Sequence, residues 1–342
     1  MAILTTVVGA ICALAPQQTP SSVPVAGNPF HRAEAFPKSA TFLASWNPTV
    51  DTPWPRIVEA LPRELQSTLP RLGRFVSDYL ELSHAELNAV LEARGSFGIW
   101  SETSNEHGVG WMLLLDCGND ADRLVAALER VTGEKLDAGL KIATLRSPTG
   151  LDVAFGRHRD TLLFGSSTEV LEEATIRLER APNASQSAHD NIRFQRFLSQ
   201  CKEDVSSGDS FVSAYVDVSN LLDAWISSTP TADRDRAVSI RDALKLGQVF
   251  ALGYFARNAG NKTHEHVRVC FPEPRNGVPA LLAGPGGKLE TDVADFVPAE
   301  TPSLTVFHLD TDALLTTALD CLSAVDANAS NGFRSMLRTV SA

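Results

Sequence analysis

The stretch Phe211-Val212-Ser213-Ala214-Tyr215-Val216-Asp217 decides how the rest of the chain is read. Seven residues dominated by aromatic and β-branched side chains predict a strand. Asp217 closes it, and Ser219 to Ile226 continues at helical spacing. An oxygen-bearing side chain suits that junction, because the first amides of a helix have no intrahelical acceptor. The same transition occurs at Asn47 after Ala40–Trp46, at Asp116 after Val109–Leu115, and at Asp310 after Leu304–Leu309.

Working outward, the repetition extends beyond the junctions. Phe36-Pro37-Lys38-Ser39-Ala40 leads into the first strand, and Phe296-Val297-Pro298-Ala299-Glu300 precedes the last. Leu91 to Asp116 matches Leu244 to Phe271: a helix end, a glycine, an aromatic-rich strand, a polar loop and an apolar strand. Between them, Ser83 with Glu86 forms a capping box opening a helix through Ala93. Asn119 or Asp120 is expected to cap a helix over Ala121–Val131. Three short strands follow, at Lys141–Arg146, Leu151–Gly156 and Thr161–Gly165, the last two joined by an Arg157-His158-Arg159-Asp160 turn. Ser167 or Thr168 then caps a helix over Glu169–Arg180. A polar break over Ser227–Asp235 is read before a helix at Val238–Leu244. Strict βαβ alternation is missing, so a doubly wound parallel sheet is not expected. The fold class is α+β, with mostly antiparallel sheets, packed helices and an internally duplicated unit. The expected divisions are a signal peptide at 1–15, a flexible tether at 16–30, a first unit at 31–188, a second at 189–300, and an incomplete further unit at 301–342.

The 342 residues carry 30 Lys and Arg against 41 Asp and Glu, a net charge of -11. Mean hydropathy is -0.04. These values exclude a collagen, a coiled-coil rod and a polytopic membrane protein. The acidic balance argues against nucleic acid as a partner, since phosphate-backbone affinity comes from Lys and Arg. Arginine outnumbers lysine 23 to 7, but the arginines are scattered and make no nucleic-acid patch in the linear sequence.

The longest apolar run is Ala2–Ala15, 14 residues and short of the roughly 20 that span a bilayer. Its length suits a secretory h-region, and Ala13-Leu14-Ala15 offers a small-x-small cleavage pattern. No Lys or Arg precedes it, and Pro16 follows. The other reading is a buried N-terminal strand or helix, which requires Ile3, Leu4, Val7, Val8 and Ile11 to pack in a core. Pro16–Pro29 has the Pro, Gln, Ser and Gly composition of a tether, which favours export. The localisation expected is extracytoplasmic, periplasmic or secreted, with no membrane-spanning segment in the mature chain. Cys117, Cys201, Cys270 and Cys321 lie far apart without a Cys-x-x-Cys, and buried or half-buried thiols are the preferred reading.

The leader, the Phe36–Ala40 opening, the strand-Asp-helix element, the Leu91-to-Phe97 hairpin entry and Asp190-Asn191-Ile192-Arg193-Phe194 together resemble a family of exported bacterial proteins. The family is uncharacterised, common in planctomycetes and carried as a domain of unknown function. The resemblance covers about residues 30–322 and implies an exported α+β repeat protein. It brings no catalytic residues with it.

Gly284-Pro285-Gly286-Gly287-Lys288 fails as a phosphate loop, since Leu282 and Leu289 stand where glycine and a hydroxyl are needed. Asp116, Asp120 and Asp122 lack calcium-loop spacing and read as charge favouring a helix N-terminus. No Gly-x-Ser-x-Gly elbow is present. His264 and His266 are the weak metal candidates, because alternate residues of a strand share a face. Glu106-His107 occupies the matching hairpin of the first unit. Polar alternation on a solvated strand accounts for the same pattern, so no metal, cofactor or catalytic residue is assigned. Trp46, Trp54, Trp100, Trp111 and Trp225 read mostly as core. The function expected is an exported, non-catalytic binding or structural module of the cell envelope, its partner an envelope protein or ligand. The alternative is a hydrolase or metal-dependent enzyme whose site forms between the units.

Overall fold

A computed structural model describes residues 29–47, 83–102, 108–133, 135, 143–146, 152–179, 186–201, 210–259, 262–272, 277–283, 311–326, 328, 330–332 and 334–335. The sequence further predicts helices over 56–61, 65–80 and 289–295; these, with the leader, most of the tether and the strand expected at 304–310, lie outside the described residues.

The fold is α+β around an antiparallel sheet. Its strands are β1 (Ala40–Trp46), β2 (Arg94–Ser101), β3 (Val109–Asp116), β4 (Ala143–Arg146), β5 (Asp152–His158), β6 (Thr161–Gly165), β7 (Ser210–Asp217), β8 (Ala251–Ala259) and β9 (Lys262–Cys270). They lie in the order β4-β5-β6-β3-β2-β1-β7-β8-β9. Within it, β3-β2-β1-β7-β8-β9 reads the same from either end: a hairpin, a single strand, a single strand, a hairpin. The central pair β1 and β7 is antiparallel, with Ala44 opposite Ala214.

Register sorts the side chains onto two faces. One face carries Phe42, Trp46, Phe97, Leu115, Phe155 and Leu162. It packs on α1 (His84–Glu92) through Ala89 and Ala93, and on α2 (Ala121–Thr132) through Leu124, Val125 and Leu128. The other face carries Leu43, Met112, Leu114, Leu163 and Tyr215, all at most 2% exposed. It meets Phe36 from the lead-in segment, Val170 and Leu171 of α3 (Thr168–Glu179), and Phe194 and Phe197 of α4 (Ile192–Gln200). Glycines accept rings there. A methyl on Gly98 would fall well inside contact distance of the Phe36 ring, and one on Gly253 would do so against Phe197.

Helix ends follow the local chemistry. The Ser83–Glu86 capping box is formed, with Glu86 Oε2 accepting from Ser83 N at 2.7 Å. Gly133 closes α2 at φ 72, donating to Glu129 O at 2.8 Å. Ser167 caps α3, its Oγ accepting from Val170 N at 3.4 Å. The expected Asn119 or Asp120 cap is different: one 3₁₀ turn, Gly118–Asp120, feeds the helix and Asp120 makes no capping bond.

Two readings of the second half need correction. The segment read as a polar break is mostly helix, since α5 (Val218–Ser228) is followed after two residues by α6 (Thr231–Ala243). The Thr231–Arg236 run is exposed, so its polarity marks a solvated helical face. Helix α4 was not foreseen; Asn191 is its N-cap, with Oδ1 accepting from Arg193 N at 2.8 Å. The remaining described helices are α7 (Val278–Ala283) and α8 (Thr311–Val325). No described helix is long and apolar enough to cross a membrane.

Contacts gather the chain into two compact units that differ from the tandem division at 188/189. One holds Met1–Asp217 with Leu252–Arg268, the other Val218–Ala251 with Val269–Ala342. The difference arises because β1 hydrogen-bonds directly to β7, which joins segments far apart in sequence.

Candidate functional site at one end of the sheet

The end of the sheet where β2, β3, β6 and β5 meet gathers the polar side chains of the first unit. Arg94 lies opposite Asp116, Asp116 opposite Thr161, and Thr161 opposite His158. Residues directly opposed in antiparallel strands share a face, so these four form one row on the face that carries Leu114 and Leu163. The His158–Thr161 hairpin has a two-residue connection, and its first residue, Arg159, is left-handed at φ 54. Asp160 O accepts from Cys117 N at 2.9 Å, tying that turn to the end of β3.

Over this row lies the lead-in segment. Phe30 is buried against Phe194, Phe197 and Phe255, with ring centroids 5.2 to 6.3 Å apart. That anchor sets His31 beside Asp116, Nε2 to Oδ2 at 3.2 Å. The contact is close but poorly aligned, and Nε2 makes no well-formed hydrogen bond. His31 nevertheless holds the Asp116 carboxyl below its ordinary range against the opposing effect of burial, with Arg32 and Arg94 acting in the same direction. Arg32 is itself left-handed at φ 55, and its Nε–H is buried without an acceptor among the described residues.

Behind the row runs a ladder of hydroxyls. Ser96 on β2 donates to His31 O and lies 2.8 Å from Ser45 Oγ on β1. Ser213 on β7 is opposite Ser45, 1% exposed, with no partner for its hydroxyl among the described residues. All three serines are at most 4% exposed, and Ser96 fixes the lead-in segment to the sheet.

A second polar cluster closes β7. Asp217 is 0% exposed and accepts from Arg193 Nη1 at 3.2 Å and from Asn191 Nδ2 at 3.5 Å. Asn191 Nδ2 also donates to Lys38 O at 3.0 Å. One amide therefore joins the lead-in, the N-cap of α4 and the end of β7.

The residues singled out by sequence fall elsewhere. His266 is half-buried on β9, and the side chain of His264 lies outside the described residues, as do Glu106, His107 and residues 284–288. Among the described residues no group of three His, Cys, Asp or Glu is placed to hold a metal ion. The aspartates near Asp116 do not converge: Asp116 meets His31, Asp120 meets Arg123 at 2.9 Å, and Asp122 meets Arg157 at 2.5 Å. Trp46 and Trp100 are core at 7% and 5% exposed, whereas Trp225 on α5 is 46% exposed and is not core. Cys117, Cys201 and Cys270 are buried free thiols and Cys321 is half-buried. Arg32, Arg94, His158 and Arg159 were missed as a group. Arg157-His158-Arg159 was a visible basic turn in the sequence, but only strand register brings Arg94 to it.

Comparison with protein-family models, with curated proteins and with solved structures gave no match.

Proposed function

We propose that this chain is an exported, non-catalytic binding or structural module of the bacterial cell envelope, built from a duplicated α+β unit. The observation that carries the reading is that the two buried carboxylates, Glu86 and Asp217, and the half-buried Asp190 serve to hold segments together. Glu86 ties Ser83 and Arg130 at the start of α1, Asp190 ties Gln186 and Ser187, and Asp217 ties Arg193 and Asn191. The duplication is supported by the palindromic strand order. It is supported again by Gly98 and Gly253, which lie in corresponding strands and receive a phenylalanine ring on the same face. Export is supported by the apolar run before Pro16 and the tether-like composition after it. The resemblance to exported planctomycete repeat proteins points the same way.

The test has two parts. N-terminal sequencing of protein recovered from an extracytoplasmic fraction is expected to start within residues 16–29. Purified protein is expected to carry no stoichiometric metal and to turn over nothing in a broad hydrolase screen. An intact Met1 in cytosolic protein defeats the envelope assignment. Turnover that disappears in His266→Ala replaces the non-catalytic reading with the enzyme alternative.

A further inference from the structure

Several arginines of this protein sit directly against a carboxylate. Arg123 meets Asp120 at 2.9 Å, Arg130 meets Glu86 at 3.3 Å, Arg157 meets Asp122 at 2.5 Å and Arg193 meets Asp217 at 3.2 Å. At the sheet end the pattern breaks. Arg94 and Arg159 make no side-chain hydrogen bond or ion pair among the described residues, and Arg32 reaches Glu34 only at 3.9 Å. The one carboxylate in the row, Asp116, already faces His31.

Two of these arginines stand at left-handed turn positions. Among the described residues, three non-glycine residues have positive φ: Arg32, Arg159 and Lys245. Arg159 is the first residue of a two-residue hairpin connection, where positive φ is the ordinary requirement. Arg32 precedes the 3₁₀ turn Ala33–Ala35. Glycine or asparagine takes such positions at less cost, and here arginine stands at both.

We propose that this end of the sheet binds an oxyanion, a phosphate or carboxylate group, held by Arg32, Arg94 and Arg159 above the Asp116–Thr161–His158 row. The proposal deepens the binding-module reading and rests on it. A guanidinium presents paired N–H donors that match two oxygens of such a group, which a lysine does not. The net charge of -11 repels anions at long range, so recognition here depends on short-range geometry. The His158 imidazole is held below its ordinary value, chiefly by burial and next by Arg159, with Arg32 adding and Glu179 opposing. His158 is therefore a built-in reporter: an anion beside it favours the charged imidazolium and raises its titration midpoint.

The test uses the full chain. Inorganic phosphate and, separately, acetate are titrated at constant ionic strength against potassium chloride. The readouts are the His158 ring-proton titration, assigned by its loss in His158→Gln, and the melting temperature. Phosphate, acetate or both are expected to raise the two readouts where chloride does not, and the active arm identifies the oxyanion. Arg94→Gln and Arg159→Gln are expected to weaken binding by about tenfold each, the loss of one charge-assisted contact. Arg159→Gly separates binding from folding: it relieves the left-handed residue, so the free protein melts no lower, while binding weakens. Equal responses to chloride overturn the proposal, as does undiminished binding in all three variants. Its failure would leave the leader and hydrolase tests untouched, and theirs would leave this binding measurable.

Discussion

Asp116 illustrates how one side chain makes stability depend on pH. Its folded carboxyl titrates below the ordinary value because His31 lies 3.2 Å away, with burial working in the opposite direction. A depressed carboxyl contributes stability above its unfolded value, near pH 4, and loses it as pH falls through the folded value. Asp116→Asn should therefore lower the urea midpoint at pH 7 and flatten its decline between about pH 5 and 2, read by fluorescence. Asp217 acts through burial instead. At 0% exposure it receives Arg193 and Asn191, so Asp217→Ala strands their donors and removes buried side-chain volume at the end of β7. A loss of about 2 kcal/mol is expected from denaturant unfolding, Arg193 being partly solvated. Both residues were legible as strand-ending acids, because an oxygen at that junction is a local requirement. Their partners were not, since His31 and Asn191 arrive from segments placed by tertiary packing.

At the scale of single elements, α1 is the clearest case of local control. Ser83 and Glu86 satisfy each other's backbone amides, Glu86 Oε2 to Ser83 N at 2.7 Å and Glu86 N to Ser83 Oγ at 3.3 Å. Ser83→Ala should cost about 1 kcal/mol, read as a lower melting temperature with an unchanged unfolding slope. The strands adjoining the central pair depend on glycine for a different reason. Gly98→Ala pushes a methyl into the Phe36 ring, and Gly253→Ala pushes one into Phe197. Each should destabilise by about 1–3 kcal/mol in chemical denaturation. Similar losses support the duplicated-unit reading; a tolerated Gly253→Ala beside a disruptive Gly98→Ala counts against it. Helix α6 shows where local reading fails. Thr231–Arg236 has no apolar face strong enough to declare a helix, and the run is helical with its side chains in solvent.

For the whole molecule, thiol reactivity reports the integrity of the fold. Burial pushes the Cys117 thiol up to about 12, with Asp116 adding to the effect, so almost no thiolate exists at neutral pH. Cys201 and Cys270 are buried at 1% and 4% exposure, and Cys321 is half-buried. In protein lacking residues 1–15, which carry the fifth cysteine, Cys12, a chromogenic disulfide reagent should label Cys321 first, with the other three following only at the rate of opening or unfolding. Immediate labelling of Cys117 in folded protein would contradict the packing around α2 and β3. Sequence by itself determined most of the elements, though not α4 or α6: the strands, the α1 cap, the hairpins and the α+β class. Those depend on side-chain alternation, helical spacing and the unmet amides of helix ends, all properties of neighbouring residues. Only the tertiary structure decided that β1 lies against β7 and that Arg94 shares a row with His158. It also decided that His31 and Arg32 are set over Asp116. Such pairings are selected by burying both faces of the sheet at once, a free energy distributed over residues more than a hundred positions apart.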